Sequence, residues 1–199
     1  MAQMQTAIKT APATEPLTTA EAKLHLRVTH SSDDTPIDEL VAAARGIFER
    51  RTGRACISQT WYLYLDDWPA TEIQLPYPPA TAVTSIKYND SAGAQQTWSD
   101  TEYDVDYASE PARIVCAYGE SWPSARVESH SIVVEYICGW ANAAAVPEDV
   151  RSALKMLVKQ GYDQRDGIAR GATERSIKAM TASAEAILSL YYTAEPINS

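Results

Sequence analysis

The chain has 199 residues, of which 45% are hydrophobic and 22% are charged, and its net charge is −9. This composition is typical of a folded globular protein. No run of about 18 apolar residues is present, so the sequence predicts no membrane span. A chain this acidic lacks the basic surface with which proteins neutralise DNA phosphates. Composition therefore argues against both an integral membrane protein and a sequence-specific DNA-binding protein.

The chain contains no recognisable catalytic motif. Cys56, Cys116 and Cys138 have no CxxC spacing, and an odd number of cysteines without a secretion signal predicts reduced, buried thiols. The sequence GESW at 119–122 lacks the second glycine of a nucleophile elbow. The glycines of the C-terminal region lack the lysine and spacing of a phosphate loop. We therefore expect a protein that is not an enzyme and that holds no cofactor and no metal.

Charge divides the chain into three blocks. Residues 1–55 hold seven acidic and seven basic side chains, and residues 146–199 hold seven of each. Residues 56–145 hold twelve acidic and three basic side chains, and also all five tryptophans and eight of the eleven tyrosines. The entire net charge therefore resides in the aromatic central block, which indicates a separate structural unit.

Two helices are predicted before the central block. Thr18 and Glu21 form a capping box, which predicts a helix that ends near residue 28. A second helix is predicted over 36–53, with Thr35 as its N-cap and proline in its first position. Its apolar residues recur at helical spacing, and Gly53 suits a left-handed C-cap. Residues 1–16, which are rich in Pro, Thr and Ala, are expected to form a mobile arm.

The central block changes to the alternating pattern of strands, and its short polar connections predict an antiparallel sheet or small barrel. The predicted strands are 57–65, 72–75, 83–88, 103–107, 112–117 and 131–138.

Helical spacing returns after the central block. A third helix is predicted to open at Pro147, and a last helix is predicted at least over 182–192. Residues 193–199 contain Pro196 and are expected to form an extended tail. The predicted fold class is α+β: a small α-helical bundle formed by 17–55 and 146–192, with an inserted antiparallel β domain at 56–145.

The order of these elements resembles a known family. The helix that ends in FERRTGR at 48–54, the strand block, and the returning helix VPEDVRSALKMLVKQGYDQR at 146–165 resemble the head–tail connector (adaptor) proteins of tailed bacteriophages. The resemblance extends over about residues 17–165. It is closest to the subgroup with a β insertion between the second and third helices.

The resemblance implies a structural virion protein of the phage neck, made in the host bacterial cytoplasm. Such a protein forms an adaptor ring, with twelve subunits in the virion, that docks on the portal protein after DNA packaging. It then provides the platform for a stopper, head-closure or tail protein, while DNA passes through the ring without sequence-specific binding. Tyr191, Tyr192 and Ile197 near the C-terminus are the candidates for portal docking.

A row of acidic residues is the second candidate site. Asp100, Glu102, Asp104 and Asp106 alternate with other residues, so on a strand they would share one face. A calcium loop would require glycine at its sixth position and glutamate at its twelfth, and the chain has Val105 and Pro111 there. We interpret the row as facing the DNA channel or a basic partner.

A different class of function is also compatible with the aromatic block. Its rings can line a binding site for a small ligand or a carbohydrate, with the helices as a scaffold. Sheet packing is the simpler interpretation, because aromatic residues favour strands and no cofactor motif accompanies them.

Overall fold

The structure, a computed structural model, describes residues 4–164 and 174–192, with side chains over 4–164 and 182–192. Its helices and two antiparallel sheets confirm the predicted α+β class. The described residues divide into two compact units. The β unit comprises residues 4–13 and 58–139, and the helical unit comprises 14–57, 140–164 and 174–192.

The helical unit contains α1 (Thr19–Leu26), α2 (Asp34–Thr52), α3 (Glu148–Gln164) and α4 (Glu174–Leu190). The predicted capping box of α1 is confirmed: the Thr18 hydroxyl accepts from the Glu21 amide, and the Glu21 carboxylate accepts from the Thr18 amide. The predicted N-cap of α2 is wrong: Asp33, not Thr35, precedes the helix. The carbonyl oxygen of Asp33 already accepts from the Ile37 amide at 2.9 Å. Pro36 fits inside this first turn because its missing N–H would have no helical partner there.

Aliphatic side chains form the core of the helical unit. Ile37, Val41 and Phe48 of α2 are buried against the predicted apolar face of α3, where Val150 and Leu154 have no exposed area. Burial of side chains this large contributes about 1.5–3 kcal/mol each. Helix packing therefore accounts for most of the stability of this unit.

The β unit contains two antiparallel sheets. The five-stranded sheet has the order β1-β2-β8-β4-β5, and the three-stranded sheet has the order β3-β7-β6. The six predicted strands are confirmed, with their ends shifted by a few residues. The strands are β1 (Met4–Thr10), β2 (Gln59–Leu65), β3 (Ile73–Leu75), β4 (Ala80–Asn89), β5 (Gln95–Trp98), β6 (Tyr103–Asp106), β7 (Ala112–Cys116) and β8 (Ile132–Cys138).

The sequence predicted a mobile arm over residues 1–16, and this prediction is wrong for residues 4–10. They form β1, which pairs antiparallel with β2 and places Thr6 opposite Leu63 and Ile8 opposite Trp61. Lys9 forms an ion pair with Glu135 of β8 at 2.6 Å. Pairing with β2 satisfies the backbone of the segment, and its Thr and Ile side chains favour a strand.

Candidate functional surfaces

The acidic row is divided between a turn and a strand. Asp100 and Glu102 lie in the turn that precedes β6, whereas Asp104 and Asp106 lie on β6 itself. Only two of the four carboxylates therefore share a strand face. β6 is an edge strand of the three-stranded sheet. Charged side chains on an edge strand discourage pairing with another chain, so the row also protects this edge.

Asp106 has a role within the β unit. Its carboxylate accepts from the Ser109 hydroxyl at 2.7 Å and from Arg113 Nε at 3.1 Å. These hydrogen bonds, first that of Ser109, hold the pKa of Asp106 below its usual value. Arg113 also pairs with Glu72 at 3.3 Å. The Asp106 carboxylate is therefore bound to neighbouring side chains of the β unit, while Asp100 and Asp104 are exposed to solvent.

The C-terminal candidates occupy different environments. Tyr191 packs between the rings of Phe48 and Trp140, with centroid distances of 6.4 Å to each. Its hydroxyl donates to Asp149 at 2.8 Å. Burial is the larger cause and this hydrogen bond the smaller cause that raise the pKa of Tyr191 to about 12. Tyr192 is 58% exposed. Ile197 lies outside the described residues. The structure therefore places Tyr191 in the packing of the helical unit and leaves Tyr192 at its surface.

Three of the four tryptophans of the β unit contact one another. Trp68 stacks on Trp122 at 5.0 Å, and Trp98 lies 5.2 Å from Trp122. Trp122 belongs to the long loop over 117–131, so the stack fixes this loop against the sheets. Faces that pack on other rings are not available to stack on a sugar. These three rings, which were candidates for a carbohydrate site, therefore stabilise the packing of the β unit instead.

A cleft of about 830 Å³ lies at one edge of the β unit. Met4 of β1, Leu65 of β2 and residues 73–74 of β3 line it, together with the 66–72 connection and Val127. Most of its lining comes from the single segment 65–74, and the sequence prediction missed the cleft because the pattern of this segment does not show that Met4 and Val127 lie beside it. It also missed Tyr118, which is fully exposed near the start of the 117–131 loop, and Val127, which is 71% exposed. An alternating pattern gives no signal for such loop positions.

Two further searches concern the described residues only. Within 4–164 and 174–192, no three His, Cys, Asp or Glu side chains are grouped so that they would hold a metal ion. In the same part of the chain, none of the helices has the length and apolar character needed to cross a membrane.

Comparison with known proteins adds information at the level of the fold. No protein-family model matches the chain, and no curated protein matches it. Solved structures do. One chain from the neck of an empty gene transfer agent particle, computed with C6 symmetry, has a TM-score of 0.74 and 23% identity. A chain from the virion of the native gene transfer agent particle has a TM-score of 0.77 and 23% identity.

A third chain, from the neck of the native particle computed with C12 symmetry, has a TM-score of 0.73 and 24% identity. Each comparison covers 98% of this chain and 98% of the other. The shared fold therefore includes both the helical unit and the β unit. At this level of identity the likeness concerns the fold.

Proposed function

We propose that this chain is a structural protein of the neck of a phage-like particle. In this proposal it forms an adaptor ring that docks on the portal protein after DNA packaging, and the ring carries the next neck or tail protein. The observation that carries the proposal is the fold match over 98% of both chains to neck structures computed with C6 and C12 symmetry. The order of helices and strands in the sequence supports it independently.

The charge of the chain supports a ring through which DNA slides. Twelve copies at −9 each would carry roughly −108 before screening. In this proposal, the acids of the row that are exposed or half-exposed face the channel or a basic partner: Asp100, Glu102 and Asp104. A negative wall repels phosphates and disfavours binding of the duplex at a fixed position.

Portal docking is assigned to the chain end that follows α4. Tyr191 is engaged with Phe48, Trp140 and Asp149, so in this proposal it anchors the end of α4. Tyr192, which is exposed, and Ile197 would supply the contacts with the portal. An apolar side chain next to a short polar segment gains buried area only when a partner covers it.

A truncation after Tyr192 tests this assignment. We expect the variant to fold with unchanged circular dichroism and melting temperature, yet to be lost from portal rings in co-sedimentation. In a complementation assay, filled heads without tails should accumulate. A chain of the same length with 193–199 replaced by Gly and Ser is the matched control for length, and it should fail equally.

Two outcomes separate the parts of the proposal. Normal portal binding by the truncated chain would move docking to the helical faces. Failure of the full-length chain to bind portal rings, or to appear in the neck of purified particles, would overturn the adaptor role itself.

A further inference from the structure

The cleft in the β unit lies where both sheets end. Met4 belongs to β1, an edge strand of the five-stranded sheet, and residues 73–74 belong to β3, an edge strand of the three-stranded sheet. Among the described residues, no strand pairs with the outer side of β1 or β3. An unpaired edge presents a row of backbone donors and acceptors to any extended chain that reaches it. The cleft is thus bordered by two such edges.

The lining of the cleft combines apolar and acidic groups. Met4 and Val127 provide apolar surface, and Val127 is 71% exposed, whereas Leu65 and Ile73 are each only 1% exposed. Asp66, Asp67 and Glu72 stand at the rim, and none of the described lining residues is basic. Trp68 also lines the cleft, and its indole Nε1 is buried without a hydrogen-bond partner in the described part of the chain. An unsatisfied buried donor costs about 1–3 kcal/mol.

The acids at the rim are not neutralised by their local hydrogen bonds. Asp66 accepts from the His130 amide and Asp67 accepts from the Trp68 amide, each through one carboxylate oxygen. Only Glu72 has a basic partner, Arg113, at 3.3 Å. Asp66 and Asp67 therefore add negative charge beside the apolar side chains of Met4 and Val127. A ligand that complements this cleft is extended, apolar on one side and positively charged.

We propose that the cleft binds an extended segment of another protein, which lies along the free edge of β3. In this binding mode, backbone hydrogen bonds to the edge hold the segment and side chains on alternate positions enter the cleft. An apolar side chain covers Val127 and Met4, and neighbouring Lys or Arg side chains pair with Asp66 and Asp67. The proposal rests on the β unit alone and does not require the adaptor role.

The acidic side chains of the cleft argue against two other occupants, a nucleic acid and a second copy of this chain. A nucleic acid would bring phosphates against Asp66, Asp67 and Glu72, which repel them. A second copy would bring another β unit with an excess of acid, or a helical unit whose described basic side chains are mostly paired. Self-association is therefore an outcome that would contradict the proposal.

Three blocked hexapeptides provide the probe. The first, Thr-Lys-Val-Lys-Ile-Thr, has the proposed alternation and charge; the second replaces both Lys with Glu; the third replaces Val with Pro. Binding to the full chain is followed by amide chemical shifts and by hydrogen exchange of β3. We expect the first peptide to shift the amides of residues 73–74 and 127 and to protect β3. The acidic and proline peptides should bind at least about ten-fold more weakly.

Matched variants locate the site. Val127→Lys places a cation at the cleft and should weaken the first peptide about ten-fold, whereas Tyr118→Lys, at a fully exposed position outside the cleft lining, should not change binding. Asp67→Asn should weaken it about two- to five-fold. Glu120→Gln removes the same charge from an exposed position outside the cleft lining and should leave binding unchanged.

The outcomes are distinguishable. Equal affinity for the basic and acidic peptides would overturn the proposal, and so would shifts centred on β6 or β5. Concentration-dependent dimerisation that Val127→Lys abolishes would identify a second copy as the occupant and would also overturn it. Val127 is largely exposed, so loss of folding does not confuse the result.

Discussion

The helical unit and the β unit use charge in opposite ways. In the helical unit, two described arginines each pair with two acids: Arg45 bonds to Glu15 at 2.7 Å and to Glu49 at 3.1 Å, and Arg151 pairs with both Glu21 and Glu148. In the β unit, twelve acidic side chains of residues 56–145 face only three basic ones from the same block. Most of those acids therefore cannot be neutralised by residues of that block.

The two units also differ in their cores. Aliphatic side chains fill the helical unit, and the single phenylalanine of the chain, Phe48, lies among them. In the β unit, stacked tryptophans hold the loops to the sheets. The comparison suggests a division of work: the charges of the helical unit stabilise its own fold, and the excess charge of the β unit is available to external partners. Four predictions test this difference.

The largest effect is expected in the helical core. Leu154 has no exposed area, so Leu154→Asp would bury an unpaired carboxylate and reduce the free energy of unfolding by about 4 kcal/mol. Leu24→Asp is the matched control, because Leu24 of α1 is 82% exposed and should change stability by less than about 0.5 kcal/mol. Urea denaturation followed by far-ultraviolet circular dichroism measures both. Equal stability of the two variants would show that α3 packs through another face.

The second prediction concerns a charge of the helical unit that is built into its fold. The Arg45 side chain is 18% exposed and bonds to both Glu15 oxygens, at 2.7 and 3.1 Å. Glu49, its other partner, also accepts from the Cys56 amide at 3.1 Å. Arg45→Met should therefore reduce the free energy of unfolding by about 1–3 kcal/mol, because two acids lose their shared cation.

Arg51 provides the control for Arg45. It pairs with Glu185 at 3.2 Å, but its side chain is 61% exposed, so Arg51→Met should change stability by less than about 0.5 kcal/mol. If both arginine variants were equally stable, internal charge pairing would not distinguish the helical unit from the β unit.

The helices and six of the eight described strands could be predicted from the sequence because each carries a clear signal. The capping box at Thr18 and the apolar spacing of α2 and α3 are local patterns, and the structure confirms them. β1 and β5 were missed for a physical reason. Their polar alternation is weak, and β1 is stable only because β2, about fifty residues later, supplies its hydrogen bonds. Long-range pairing of this kind leaves no local trace.

The candidate surfaces were predicted less completely than the fold. The acidic row could be identified, but its interruption before Tyr103 depends on the position where β6 begins. Tyr191 was grouped with Tyr192 because both precede the chain end. Only the structure shows that Tyr191 packs against Phe48. The cleft beside Trp68 is lined mostly by the segment 65–74, but Met4 and Val127 join it only in the folded chain, so the segment alone does not reveal the cleft.

The third prediction uses the pH dependence of the helical unit. Glu21 accepts from the Thr18 amide and hydroxyl and pairs with Arg151, and these interactions hold its pKa below the usual value. A carboxyl with a lowered folded pKa contributes stability above its usual pKa near 4.5, and this contribution is lost as the pH falls below that value. Glu21→Gln should therefore flatten the loss of stability below about pH 4.5.

At pH 7 the same substitution should cost about 1 kcal/mol, because glutamine still accepts from the Thr18 amide but loses the ion pair with Arg151, whose side chain is 17% exposed. Melting temperatures between pH 3 and pH 7 provide the measurement. A variant whose acid sensitivity matched the wild type would show that Glu21 is not a source of the pH dependence.

The smallest effect is expected in the acidic row of the β unit. Replacing Asp100, Glu102 and Asp104 together with their amides should leave the melting temperature unchanged or slightly higher, because this removes mutual repulsion and no described ion pair. Adding Asp106→Asn should lower the melting temperature measurably, since Asp106 accepts from Ser109 and pairs with Arg113.

The contrast between the triple and the quadruple variant is therefore the informative quantity. If the triple amide variant lost stability, its acids would have partners inside the β unit. The proposed difference in charge pairing between the two units would then be wrong. If it kept full stability but assembled poorly into particles, the excess charge would act on something outside the chain. Differential scanning calorimetry answers the first question, and particle yields in a complementation assay answer the second.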